Sequence, residues 1–121
     1  SSMIANYVKR GLLSNPVKKQ YSREQIAYLI YISTSNTVLS MEDIRLMISV
    51  QQHTYIPQIA YDYFCSEFEN YLQYVFGFKS APDKVGVENT NEKIMLRNAI
   101  VTASHKIYLD RLFHALQCMK N

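Results

Sequence analysis

Asn6, Lys9 and Arg10 stand at i, i+3 and i+4, so a helix through them places all three side chains on one face, with Ser2 one turn earlier. Those residue types suit the edges of base pairs: an Asn amide bonds adenine in bidentate fashion, an Arg guanidinium does the same to guanine, and an ammonium group neutralises phosphate. Lys18, Lys19 and Arg23 follow within a few residues and suit phosphate contact. Tyr7 fits either a phosphate or stacking contact or a place in the core, whereas Tyr21 is expected to pack. The candidate nucleic-acid-binding set is therefore Asn6, Tyr7, Lys9, Arg10, Lys18, Lys19 and Arg23. Such contacts make affinity fall with salt, with a log–log slope of about −0.9 per phosphate neutralised.

Other chemistry has less to stand on. His114 and Cys118 are one helical turn apart and, with His105 or Cys65, form the only plausible metal-ligand grouping. A cysteine in an apolar helix is ordinarily a small core residue, so no metal or other cofactor is expected. His53 sits in a polar stretch and carries no signal. The two cysteines lie far apart and form no Cys-x-x-Cys, which argues against a disulfide framework and for reduced thiols in a cytoplasm. There is no phosphate-cradling glycine loop, no spaced acid pair and no Ser-His-Asp grouping, so catalysis is not expected and no catalytic residue is assigned.

The distribution of charge agrees with the first grouping. Residues 1–23 hold five basic side chains and no acidic one, while residues 24–121 set eight Lys and Arg against ten Asp and Glu, leaving a positive head on a slightly negative body. A hydrophobic content of 48% with 19% charged residues describes a chain that can bury a core, and 121 residues suit one domain or a small domain with an extension. Three glycines and three prolines are too few for the turns of an all-β fold, so long helices are expected. No apolar run is long enough to span a bilayer, and no membrane association is expected.

The elements that must position the basic residues follow from capping and periodicity. Ser1 or Ser2 can cap a short helix that ends at Gly11, and Ser14-Asn15-Pro16 interrupts the chain before an extended arm over 17–21. Ser22-Arg23-Glu24-Gln25 reads as a capping box opening a second helix, with Ile26, Leu29, Ile30 and Ser33 on its inward face and Tyr28, Tyr31 and Ile32 widening the apolar stripe. Ser40 caps a third helix, whose inward face is Ile44, Met47 and Ile48. Gln51 to Thr54 reads as a polar gap, and Pro57 opens a fourth helix to about Phe76. A loop over Gly77–Asn89 precedes a last helix from Thr90 to Met119, with Ile94, Val101, Ile107 or Tyr108, Leu112 and Leu116 as its buried stripe.

The order of these features resembles the DNA-binding domain of MerR-like regulators, a winged helix-turn-helix, at Tyr7, Gly11, Leu12, Leu13, Tyr21, Ser22, Leu39, Ser40, Ile44 and Arg45. The runs Asn6-Tyr7-Val8-Lys9-Arg10-Gly11-Leu12 and Lys19-Gln20-Tyr21-Ser22-Arg23-Glu24 are closer still to a bacterial family known as domain of unknown function 1836. The likeness covers residues 2–52. The wing is short, Ala5 stands where many relatives have arginine, and the helix that precedes the recognition helix is not in the sequence, so either it lies upstream of Ser1 in a longer protein or the domain has dropped that support. The resemblance implies an all-α fold with a winged helix-turn-helix-like N-terminal half lacking its first helix, followed by two long helices. It implies a DNA-binding domain over 1–52, a helical dimerisation or effector region over 53–121, and a cytoplasmic transcriptional regulator that binds double-stranded DNA as a homodimer under an unknown effector. The alternative is a helical interaction module in which the aromatic helix from Tyr61 to Phe76 binds a protein and the basic head is only soluble surface.

Overall fold

The computed structural model describes residues 2–18, 20–84 and 90–120. They form five helices: α1 (Ser2–Lys9), α2 (Arg23–Ser35), α3 (Met41–Thr54), α4 (Pro57–Val75) and α5 (Asn91–Met119). No β-strand occurs among the described residues, where Val17 and Gln20 form a single isolated antiparallel bridge. None of the helices is long and apolar enough to cross a membrane. The chain divides into two compact units, Ser1–Tyr61 and Asp62–Asn121.

In the first unit, α1 closes on Gly11 at φ +76, where a side chain would be strained. The Gly11 amide donates to the Val8 carbonyl at 3.0 Å and the Leu12 amide to the Tyr7 carbonyl at 3.0 Å, a Schellman ending that turns Leu12 and Leu13 into the core. Ser22 caps α2 as its sequence implies: its hydroxyl accepts the Gln25 amide at 3.1 Å and its own amide donates to the Gln25 side-chain oxygen at 2.7 Å. The buried face of α2 is shifted from the centre of the expected stripe to its edge. Tyr31, Ile32 and Ser35 are buried, whereas Ile26 and Ile30 are 46% and 43% exposed. Nearly every residue from Ile26 to Ile32 is apolar, so periodicity alone could not choose a face.

Ser40 caps α3 by accepting the Asp43 amide at 3.1 Å, and Ile44, Met47 and Ile48 are buried as expected. The polar gap expected at Gln51–Thr54 is instead the last turn of α3. Its polar side chains find partners without leaving the helix. Gln51 is buried, Gln52 donates to the Tyr28 hydroxyl at 3.1 Å, the His53 ring meets the Ser49 carbonyl at 2.6 Å, and the Thr54 hydroxyl donates to the Val50 carbonyl at 3.2 Å.

The second unit is built on most of α4 and on α5. α4 buries Phe64, Glu67 and Asn70, and ends in a second Schellman turn at Gly77, φ +84. Asn70 brackets the following loop by accepting the Asp83 amide and donating to the Asp83 carbonyl, both at 2.7 Å. Thr90 opens α5 by accepting the Lys93 amide at 3.2 Å. The inward residues of α5 are Leu96, Ile100, Ala103 and Ser104, a correction to the expected stripe: Ile94, Tyr108, Leu112 and Leu116 are 38–48% exposed. The inward face is selected by a polar contact that periodicity does not register. Arg97 Nε donates to the Glu67 carboxylate at 2.8 Å, Tyr63 donates to the same oxygen at 3.2 Å, and Arg97 also reaches the Tyr63 hydroxyl. Glu67 is only 1% exposed, so this pairing offsets what would otherwise be a large desolvation penalty.

Candidate nucleic-acid interface

Three pieces of the first unit carry the basic head: α1, the turn at 17–20, and the start of α2. On α1, Asn6, Lys9 and Arg10 are exposed, and Arg10 Nε donates to the Asn6 side-chain oxygen at 3.3 Å. The i, i+4 spacing therefore places the amide and the guanidinium on one open face. Tyr7, a candidate for phosphate contact, is 1% exposed and belongs to the core. A phenol so enclosed is not part of a surface.

The arm expected to be extended is a tight turn. The Val17 and Gln20 backbones exchange hydrogen bonds, amide to carbonyl, at 3.1 and 2.9 Å, which leaves Lys18 at the tip with φ +51. Lys19 lies outside the described residues, as does the expected cap residue Ser1. The loop before the turn is tied to α2 by Gln25, whose side-chain amide donates to the Ser14 hydroxyl at 2.8 Å and to the Ser14 and Asn15 carbonyls at 3.2 and 2.9 Å. Arg23, exposed, is the first residue of α2, a position where the helix dipole disfavours a cation. Among the described residues no ion pair engages Lys9, Arg10, Lys18 or Arg23.

One further residue shapes this end of the molecule. Arg45, on α3, donates through its guanidinium to the Arg10 carbonyl and lies 3.7 Å from Glu42. It caps the negative end of α1 and fixes α1 against α3. A side chain at Gly11 would lie 3.4 Å from the same guanidinium. Periodicity could not have found this tether, because donor and acceptor are 35 residues apart; the MerR-like pattern marks the position without stating its role. An open groove of about 700 Å³ runs beside this region, lined by Val8, Leu12, Asn15, Gln25 and Tyr28 among others.

The remaining chemistry is sparse. Cys118 Sγ lies 3.7 Å from His114 Nε2 on the exposed end of α5, and no group of three or more His, Cys, Asp or Glu among the described residues could hold a metal. Burial pushes the Tyr31 hydroxyl well above its ordinary pKa, with Tyr28 adding to the effect. Tyr63 is raised by burial and by the Glu67 charge, against the opposing effect of Arg97.

A short basic helix, the Val17–Gln20 bridge and two capped helices make the first unit a small all-α domain with a cationic end. The chain belongs to the family described as Domain of unknown function (DUF1836), whose sequence model matches residues 1–64. No curated protein and no solved structure matches it.

Proposed function

We propose that the first unit binds double-stranded DNA as a MerR-like, winged helix-turn-helix type of transcriptional regulator in the cytoplasm, with α1 entering the major groove and the turn at Lys18 acting as a reduced wing. The observation that carries this reading is the open face of α1, where Asn6 and Arg10 are joined beside Lys9 and, among the described residues, no carboxylate pairs with the cations. Two neighbours add to it. Lys18 and Arg23 occupy positions that fold stability disfavours, a left-handed backbone site and the positive end of a helix, which supports a role for their charges outside the fold. In this reading Asn6 and Arg10 contact base edges, while Lys9, Lys18, Lys19 and Arg23 contact phosphates. A single short helix reads few base pairs, so binding as a homodimer through the helical region 53–121 belongs to the same proposal.

The test is a fluorescence-anisotropy titration of genomic and random duplexes across a salt series. Wild-type protein is expected to bind with a steep salt dependence, and Lys9→Ala with Arg10→Ala to reduce the log–log slope by about one, through Lys9, and to relax the preference among duplexes, through Arg10. Absence of binding at low salt, or an unchanged slope in the double variant, would sink the reading and leave the helical interaction module in its place.

A further inference from the structure

We propose that the outward face of α5 is a self-association seam that pairs antiparallel with the same face of a second copy. It supplies the two-fold symmetry that the DNA reading calls for, yet it stands on observations in the second unit alone. α5 carries two apolar stripes. One turns inward at Leu96 and Ile100. The other runs through Ile94, Val101, Tyr108, Leu112 and Met119, of which Tyr108, Leu112 and Met119 are 38%, 39% and 81% exposed. Ile107 is half-buried and the Tyr108 ring meets Phe76 edge to face at 5.4 Å between centroids; beyond them, from Leu109 to Lys120, every residue is exposed, so the helix continues for about three turns past its own packing, carrying leucine and phenylalanine side chains. A helix in water is held mainly by packing of its apolar face, and a largely apolar stripe of this length marks an interaction site.

The spacing indicates the occupant. With Asn98, His105 and Ala115 in the gaps, the stripe from 94 to 119 steps alternately by four and three residues, the repeat of a two-helix seam. That repeat is symmetric about the midpoint between His105 and Tyr108. An antiparallel partner therefore sets Val101 against Leu112 of the second copy and Ile94 against its Met119, and does so twice. At the centre, Tyr108 meets the second copy's His105, and the phenol can donate to the imidazole. A parallel pairing would instead stack Asn98 on Asn98 and His105 on His105. The exposed side chains of the stripe and its edge, Leu109 and Leu116 included, amount to roughly 600 Å² per copy, close to the ~800 Å² per partner of a standard interface.

Sedimentation of the full chain without DNA is expected to show a concentration-dependent dimer. Leu112→Glu should weaken it at least tenfold with helical circular dichroism unchanged, while Leu46→Glu, on an exposed site of α3, should leave it intact. In a Cys65→Ser, Cys118→Ser background, Val101→Cys combined with Leu112→Cys should oxidise to a covalent dimer, and Leu112→Cys alone should not. A strict monomer at millimolar protein, a dimer indifferent to Leu112→Glu, or covalent dimers from Leu112→Cys alone overturns the proposal. So does a monomer that binds anionic vesicles through Leu112, which would give the face to lipid. A dimer that fails the salt-series titration leaves this seam standing and removes only the DNA reading.

Discussion

Lys18 holds a left-handed backbone, where its Cβ crowds the following carbonyl at a cost of about 1–2 kcal/mol. Glycine has no Cβ to crowd, so Lys18→Gly is expected to raise the unfolding free energy read from urea titration by up to about 1 kcal/mol after the extra freedom of the unfolded chain is counted. If Lys18 contacts phosphate, the same variant binds DNA more weakly, and stability and affinity move in opposite directions. A variant that loses both, or neither, separates Lys18 from the proposed interface. Tyr31 leads to a pH prediction. Its folded pKa lies above the unfolded value of about 10, so its stabilising contribution is complete below that pH and is lost as pH rises towards the folded value. Stability should therefore decline above about pH 10, and Tyr31→Phe should flatten that decline in urea titrations. Glu67 and Arg97 give a larger effect. Arg97→Ala leaves a carboxylate that is 1% exposed without its guanidinium, and a loss of roughly 2–4 kcal/mol is expected by thermal or urea unfolding, with Arg97→Lys recovering part of it.

At the scale of elements, Gln25 connects two pieces of structure. Its side-chain oxygen completes the capping box of α2, and its amide holds Ser14 and Asn15. Gln25→Ala is expected to lower stability by about 1–2 kcal/mol and to speed amide exchange at Val17 and Gln20, whereas Ser22→Ala should cost about 1 kcal/mol with less effect on the turn. Equal exchange in the two variants would show that the amide contacts do not hold the turn. The capping half of this arrangement was legible in Ser22-Arg23-Glu24-Gln25, because a cap is a local bond between residues three apart. The tethering half was not, since Gln25 reaches back 10 and 11 residues. Gly11 divides in the same way: its left-handed ending of α1 follows from its type and place, but the guanidinium of Arg45 beside it comes from a distant helix.

For the whole molecule, the proposed DNA contacts and the proposed seam fall in different compact units. Their variants should therefore act separately. Lys9→Ala with Arg10→Ala should leave the sedimentation of the chain unchanged, and Leu112→Glu should weaken DNA binding at low protein concentration without altering the salt slope per bound copy. The sequence by itself determined the helical class, the caps at Ser22 and Ser40, the inward face of α3, and the concentration of positive charge at one end, because each depends on composition or on residues within a turn of one another. Only the tertiary structure decided which face of α2 and which of the two stripes on α5 turn inward. Both helices are apolar on more than one side, and the choice rests on contacts with residues remote in the chain, such as Arg97 with Glu67. It also placed Tyr7 in the core and drew the arm into a turn, since enclosure and backbone pairing depend on what the rest of the fold brings alongside.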